Sequence, residues 1–269
     1  MKIPKIIHQI WIQGENNIPD KFVDNMNKIR GMHPNWEYIL WDEIKILQLL
    51  QHNKKIIDLY YKFEYLHQKV DYAKLIILFT YGGVCIDMDA YTVKSLDDVV
   101  ETYSNYDFVV SNLKDLGFIG NLHTCGKIGN CVNNGNFFGK PKAHIVKYII
   151  EKITNYCYPF DLKMSCIQKT TGPNFFNKAI DEYLKDKNIK NKSKVKFLNY
   201  KILEPCLMDF CDISDETIIV HKHAGTWVNS FFKNIGRIYL SFPNFINTLI
   251  IFIFIFIIYF IYQKFFNIN

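Results

Sequence analysis

Asp87 and Asp89 are the residues best placed to do chemistry. They flank Met88 directly after the apolar run Val84, Cys85 and Ile86, so strand alternation puts both carboxylates on one face and Met88 on the other. Two carboxylates this close repel, and the simplest way to keep both ionised at the end of a buried strand is a bound divalent cation. Taken alone, the same spacing also describes a solvated strand end. Asp71 and Lys74 lie three apart on one helix face, where they either reach the same site or form a surface ion pair. His221 and His223 alternate across a strand end, so one of them faces the carboxylates. An imidazole completing a cation's ligand set and a structural histidine both fit that position.

These groups are positioned by the stretch His67 to Thr92, HQKVDYAKLIILFTYGGVCIDMDAYT. Val70, Ala73, Ile77 and Tyr81 fall at helical spacing, and Leu75, Ile76, Leu78 and Phe79 widen the apolar face until most of the helix must be buried. Gly82 and Gly83 end it and let the chain turn sharply into the strand. Around this centre strands and helices alternate, as a mostly parallel sheet requires. Strands are expected at Ile6 to Ile12, Trp36 to Trp41 and Asp107 to Ser111, with Val195 to Leu198 and Thr217 to Val220 closing the sheet. Helices are expected from Asp20 to Ile29, Glu43 to Leu50 and Lys54 to Tyr61, then after Pro141 and after Thr171-Gly172-Pro173. Leu113 to Phe138 reads as loops with one strand near Asn136 to Phe138. Asn133 and Asn134, beside Gly135, either touch a sugar or form a turn, and the turn is favoured. The lysine-rich segment from Asp186 reads as a solvated loop.

The chain has 269 residues, 49% of them hydrophobic, enough for one large α/β domain over residues 1–235 plus an appendage. A net charge of +6 with lysines spread along the chain suits anionic lipid head groups as well as anything else, and no nucleic-acid partner is expected. Seven scattered cysteines and an amino terminus unlike a secretory signal favour a reducing compartment over a disulfide framework. At the other end, Phe245 to Tyr262 carries no charge. As a helix it would rise about 27 Å, close to the roughly 30 Å of a bilayer's hydrocarbon core. Residues 243–263 are therefore expected to form a single-pass transmembrane anchor, with Tyr259 and Tyr262 at the interface and a buried or interfacial helix as the alternative. Insertion after synthesis would leave the catalytic body in the cytosol; the secretory-pathway lumen is the less favoured side.

An Asp and a basic residue three apart on a helix, a Tyr-Gly-Gly turn and an apolar strand ending in Asp-x-Asp closely resemble the sugar-binding region of glycosyltransferase family 32. That family includes initiating α-mannosyltransferases and inositolphosphoceramide mannosyltransferases and, more distantly, clostridial glucosylating toxins. IPKIIHQIW at Ile3 to Trp11 resembles the family's first strand, TGP at Thr171 to Pro173 a later motif, and VHKHAGTW at Val220 to Trp227 its closing motif. The resemblance implies a GT-A-like, Rossmann-like fold and a retaining, metal-dependent transfer of a hexose from a UDP- or GDP-linked sugar to a lipid or glycan acceptor. It also implies roles. Asp89 would ligate Mn²⁺ or Mg²⁺, and Asp87 would contact the ribose, the sugar hydroxyls or the metal through water, so both count as catalytic. His221 would complete the metal site. Trp11 would stack on the nucleobase, Asp71 and Lys74 would approach the donor from the side, and Thr226 and Trp227 would donate to the diphosphate. The family usually has arginine where this chain has Lys74, and lysine keeps the charge without the bidentate fork.

Other readings compete. A haloacid-dehalogenase-like phosphatase would use Asp87 as nucleophile and Asp89 as general acid, although that fold normally opens with the Asp-x-Asp strand. A non-catalytic membrane protein could keep the fold without turnover. A zinc site from His123, Cys125 and Cys131, or from Cys206, Cys211 and His221, lacks the usual paired-thiol spacing.

Overall fold

The computed structural model describes residues 2–127, 129–207, 210–223 and 241–266, together with 234, 237 and 238. β1 (Ile6–Ile10) runs parallel to β2 (Glu37–Trp41) on one side and to β3 (Gly83–Cys85) on the other. Beyond β3 come β6 (Val132–Gly139), antiparallel to its neighbours, then β5 (Phe108–Asn112) and β7 (Val195–Leu198), giving a six-stranded sheet in the order β2-β1-β3-β6-β5-β7. The pairings are thus mixed but mostly parallel, as expected. Strand alternation divides the core between the two faces. Ile10, Cys85, Phe108, Val110 and Phe137 pack on α2 (Glu43–Leu50), α4 (Leu66–Tyr81), α7 (His144–Lys152) and α9 (Pro173–Lys185). On the opposite face Ile7, Val84, Val109 and Phe138 pack with Ile29 of α1 (Asp20–Met32) and Val99 and Val100 of α5 (Asp97–Thr102). α3 (Lys54–Lys62), α6 (Gly117–Cys125), α8 (Lys163–Thr170) and α10 (Tyr200–Leu203) complete the body.

α4 is buried continuously from Tyr72 to Leu78, as its broad apolar face requires. Its amino end is held by Gln68, whose Oε1 accepts from the Tyr65 amide at 3.0 Å while its Nε2 donates to Thr170 Oγ1 at 2.8 Å. Its carboxyl end needs both glycines, with φ of 68° at Gly82 and 94° at Gly83. A Cβ on Gly83 would also collide with the Ile6 carbonyl oxygen. That turn is tied to β1 by His8, whose Nε2 lies 2.9 Å from Gly82 O while Trp41 Nε1 donates to Nδ1 at 3.2 Å. Burial pushes the His8 pKa down to about 4, so the ring is neutral and its Nε2 carries the proton.

Several expectations are corrected. The strand near residue 217 does not close the main sheet: β10 (Ile219–His221) pairs antiparallel with β4 (Ala90–Thr92), with His221 opposite Ala90. The region from Leu113 to Phe138 is not mostly loop, because it contains α6 and the eight-residue β6. Asn133 and Asn134 lie in that strand and not in a turn. Asn177 of α9 fixes its start, accepting from the Val132 amide at 2.8 Å and donating to the Val132 carbonyl at 2.7 Å, a long-range pairing that local composition does not reveal.

The cysteines are also corrected. Cys125–Cys131, Cys157–Cys166 and Cys206–Cys211 are disulfides, and Cys85 is a buried free thiol. Each pair is a short-range clasp, with sequence separations of 6, 9 and 5, so the expectation of scattered free thiols is not met.

The expected anchor at 243–263 lies on α11 (Pro243–Phe266). Among the described residues no helix is long and apolar enough to cross a membrane, so the transmembrane span is not borne out. The side chains of residues 259–263 lie outside the described residues.

Gly83→Ala should lower stability by about 3 kcal/mol, because it adds both an unfavourable φ and a clash with rigid backbone. Urea denaturation followed by circular dichroism would measure this, and a loss under about 0.5 kcal/mol would mean the turn can relax.

Candidate active site

The parallel strands β1 and β3 deliver Trp11 and Asp87 to the same end of the sheet. Lys74 is the pivot of what gathers there. It projects from α4 with only 4% of its surface exposed. Its Nζ lies 2.6 Å from Asp87 Oδ1, 3.0 Å from the Asn134 carbonyl and 3.7 Å from Asp71 Oδ1. Burial opposes the ammonium charge, but the Asp87 and Asp71 carboxylates outweigh it and hold the Lys74 pKa well above its usual value. The Lys74 donors are thus turned onto the protein. Asp71 also accepts from Thr171 Oγ1 at 3.1 Å. Burial pushes its pKa up to about 7 against the pull of Lys74.

Asp87 and Asp89 do share a side. Met88 is buried on the other, with Phe22, Met26 and Leu40. The strand has already ended at Cys85, and the Ala90 amide donates to the Asp87 carbonyl at 3.0 Å, so the two carboxylates sit on a tight turn between β3 and β4. β10 then brings His221 alongside: its Nε2 is 3.0 Å from Asp89 Oδ1 and 3.7 Å from Asp87 Oδ2. The Lys222 amide donates to the Asp89 carbonyl at 3.1 Å and locks the ribbon to the turn.

Two oxygens and one imidazole nitrogen within 4.8 Å of one another form a donor set suited to a divalent cation. Room beside them comes from Gly135, where a Cβ would fall 2.5 Å from His221 Cε1 and 2.9 Å from Asp87 Oδ2. The residues thus fit Mn²⁺ or Mg²⁺. Burial opposes a charge on His221, but Glu204 and Asp89 raise its pKa well above the ordinary value. An imidazolium therefore bridges the acids in the metal-free protein, and metal binding would release its proton.

Glu204 was not legible as a site residue in the sequence. It is fully buried and lies just after α10, with Oε2 2.8 Å from His221 Nδ1 and 3.1 Å from His223 Nε2. Its Oε1 accepts from Asn136 Nδ2 at 2.7 Å. Burial would raise the Glu204 pKa, yet His221 and then His223 hold it down to about 2. The signal that could have found it is the isolated acid in ILEPC, the only charge between the apolar run and Pro205. His223 does not turn away, as strict alternation predicts. Its φ of 47° swings its ring to 3.8 Å from that of His221.

Asn133 Nδ2 lies 3.4 Å from His221 Nδ1. Asn136 Oδ1 accepts from the Asp87 amide at 3.2 Å, and Gln9 Nε2 donates to the Asp87 carbonyl at the same distance. Trp11 is half-buried beside Phe22, at 5.5 Å between ring centres, and its indole NH donates to the Asn17 carbonyl at 3.1 Å. Thr226 and Trp227 lie outside the described residues. The alternative zinc sites are excluded by the disulfides Cys125–Cys131 and Cys206–Cys211. The phosphatase reading gains nothing, since β3 is the third strand of the chain and Asp87 Oδ1 is occupied by Lys74.

Residues 19–106 match the family described as a glycosyltransferase sugar-binding region containing a DXD motif. The chain is 27% identical over 187 residues to inositol phosphoceramide mannosyltransferase 1 of Schizosaccharomyces pombe, covering 68% of this chain and 53% of that protein. It thus spans about half the length of that relative. It is also 29% identical over 209 residues to an uncharacterized glycosyltransferase of Acanthamoeba polyphaga mimivirus, covering 76% of this chain and 74% of the other. Among solved structures, the catalytic domain of alpha-toxin from Clostridium novyi superposes with a TM-score of 0.54 at 11% identity, over 88% of this chain and 83% of that one, which establishes a GT-A-like fold.

Lys74→Met should cost about 3–5 kcal/mol at pH 8, because it strips the mostly buried Asp71 of its cation and half-buried Asp87 of its nearest one. The loss should shrink as pH falls, because Asp71, which burial inclines to neutrality and Lys74 no longer holds down, takes up a proton; equal losses at pH 5 and pH 8 would contradict the cage. His221, with its raised pKa, stabilises the metal-free protein fully below about pH 6.5, and that contribution fades as pH rises through its folded value. Urea midpoints should therefore fall with rising pH without metal, while Mn²⁺ affinity rises over the same range.

Proposed function

We propose that this chain, which resembles glycosyltransferase family 32, is a metal-dependent, retaining hexosyltransferase that takes its sugar from a UDP- or GDP-linked donor. The observation that carries the reading is the cluster of Asp87, Asp89 and His221 beside Gly135, within reach of the region that matches the DXD family. A divalent cation held there supplies positive charge where a nucleoside diphosphate leaves. Asp89 and His221 offer it an oxygen and a nitrogen. Asp87 offers Oδ2, while Lys74 ties down Oδ1. Trp11 follows the same sheet end and presents an aromatic face for a base.

The relatives' printed names favour mannose as the sugar and an inositol phosphate head group on a sphingolipid as the acceptor; another membrane lipid or a glycan belongs to the same acceptor class. The three disulfides support action in an oxidising compartment. Lys74 does not favour the non-catalytic reading, since it completes the carboxylate cage and is not a failed diphosphate ligand.

In the full chain, one of the GDP- or UDP-hexoses together with Mn²⁺ should raise the melting temperature. At a donor concentration of about one hundred times Kd the gain is about 2.7 kcal/mol, or roughly 5–10 °C. Asp89→Asn should abolish it. No shift with any donor, or a shift independent of metal, would remove the donor-site reading. Binding without transfer or donor hydrolysis would point to the non-catalytic one.

A further inference from the structure

We infer that Glu204 is a positioning residue of the metal site: it aims His221 Nε2 at the carboxylates and, through Asn136, sets the Asp87 backbone. The inference rests on the metal reading above.

Every polar atom of the Glu204 carboxylate is engaged. Oε2 sits 2.8 Å from His221 Nδ1 and 3.1 Å from His223 Nε2, and Oε1 accepts from Asn136 at 2.7 Å. An imidazole has two nitrogens pointing in different directions, so pinning a proton on Nδ1 leaves Nε2 as the nitrogen that can give its place to a metal and fixes where it points. Here that direction is Asp89 Oδ1 at 3.0 Å and Asp87 Oδ2 at 3.7 Å. The other oxygen acts on the opposite half of the site. Asn136 donates to Glu204 and accepts from the Asp87 amide at 3.2 Å, so one carboxylate fixes a ligand on β10 and a ligand on the turn after β3.

Glu204 is itself rigidly held. Its amide donates to the Tyr200 carbonyl at 2.7 Å. The chain after it is clasped as a hairpin of β8 (Cys206–Leu207) and β9 (Phe210–Cys211) by the Cys206–Cys211 disulfide. The Ile218 amide donates to the Ile202 carbonyl at 2.8 Å, tying this segment to β10 two residues before the carboxylate. Glu204, His221 and His223 could also be taken for a separate cation site. Against that, Glu204 is fully buried and His221 already directs its second nitrogen at Asp87 and Asp89.

The test is Mn²⁺ binding by the full chain without any donor, read as free Mn²⁺ by electron paramagnetic resonance. Wild type should bind one Mn²⁺ and Asp89→Asn none. Glu204→Gln should weaken binding about 10–100-fold. Added to His221→Ala it should cause no further loss, because the glutamine keeps an oxygen that accepts from Asn136 and loses only the acceptor facing that ring. An unchanged Kd in Glu204→Gln, an equal loss in the His221→Ala background, or two Mn²⁺ per wild-type chain would each overturn the inference and leave the metal reading standing. No binding by wild type would remove both.

A second measurement needs no variant. Histidine ¹⁵N resonances of the wild type should show His221 keeping its Nδ1 proton when Mg²⁺ is added while Nε2 shifts. Loss of the Nδ1 proton would overturn the assignment whatever the fold of Glu204→Gln.

Discussion

The site depends on one buried cation. Lys74 sits in the body of the fold with Asp87 and Asp71 within 4 Å and a backbone carbonyl as third acceptor. An ammonium in that position is tolerable only because the acids and the carbonyl replace its water. The acids in turn stay together only because the ammonium lies between them. That contact makes α4, the turn after β3 and the middle of β6 a single electrostatic unit.

Around that unit the architecture serves convergence. β1 contributes Gln9 to the Asp87 carbonyl, and His8 of the same strand fastens the glycine turn that launches β3. β6 supplies Gly135 as open space and Asn136 as a bridge, while β10 supplies His221. Short strands from distant parts of the chain meet at one end of the sheet, where open α/β folds place their ligands. The motif at Thr171 has a role of its own: its hydroxyl caps the acid most strained by burial, Asp71.

The charge balance follows the same logic. With His221 protonated, two cations face the four carboxylates of Asp71, Asp87, Asp89 and Glu204, of which Asp71 is the one burial inclines to neutrality. A divalent ion in place of the His221 proton raises the positive charge by one where a diphosphate would approach. The metal-free site is therefore a proton-filled version of the loaded one.

The sequence by itself determined the elements and the acids. Apolar spacing marked α4, the glycine pair marked its end, and Asp-x-Asp after an apolar run marked the carboxylates, because each of these is a local pattern whose physical cause lies within a few residues. Tertiary structure alone decided what the acids do. Lys74 faces inward because Asp87 arrives beside it, Asn133 belongs to a strand because Asn177 pairs with Val132, and Glu204 meets His221 only because β10 returns to β4. The cysteine pairs and the role of His223 were hidden for the same reason. Contacts between residues far apart in the chain are energies of proximity, and no local spacing records which partners the fold will bring together.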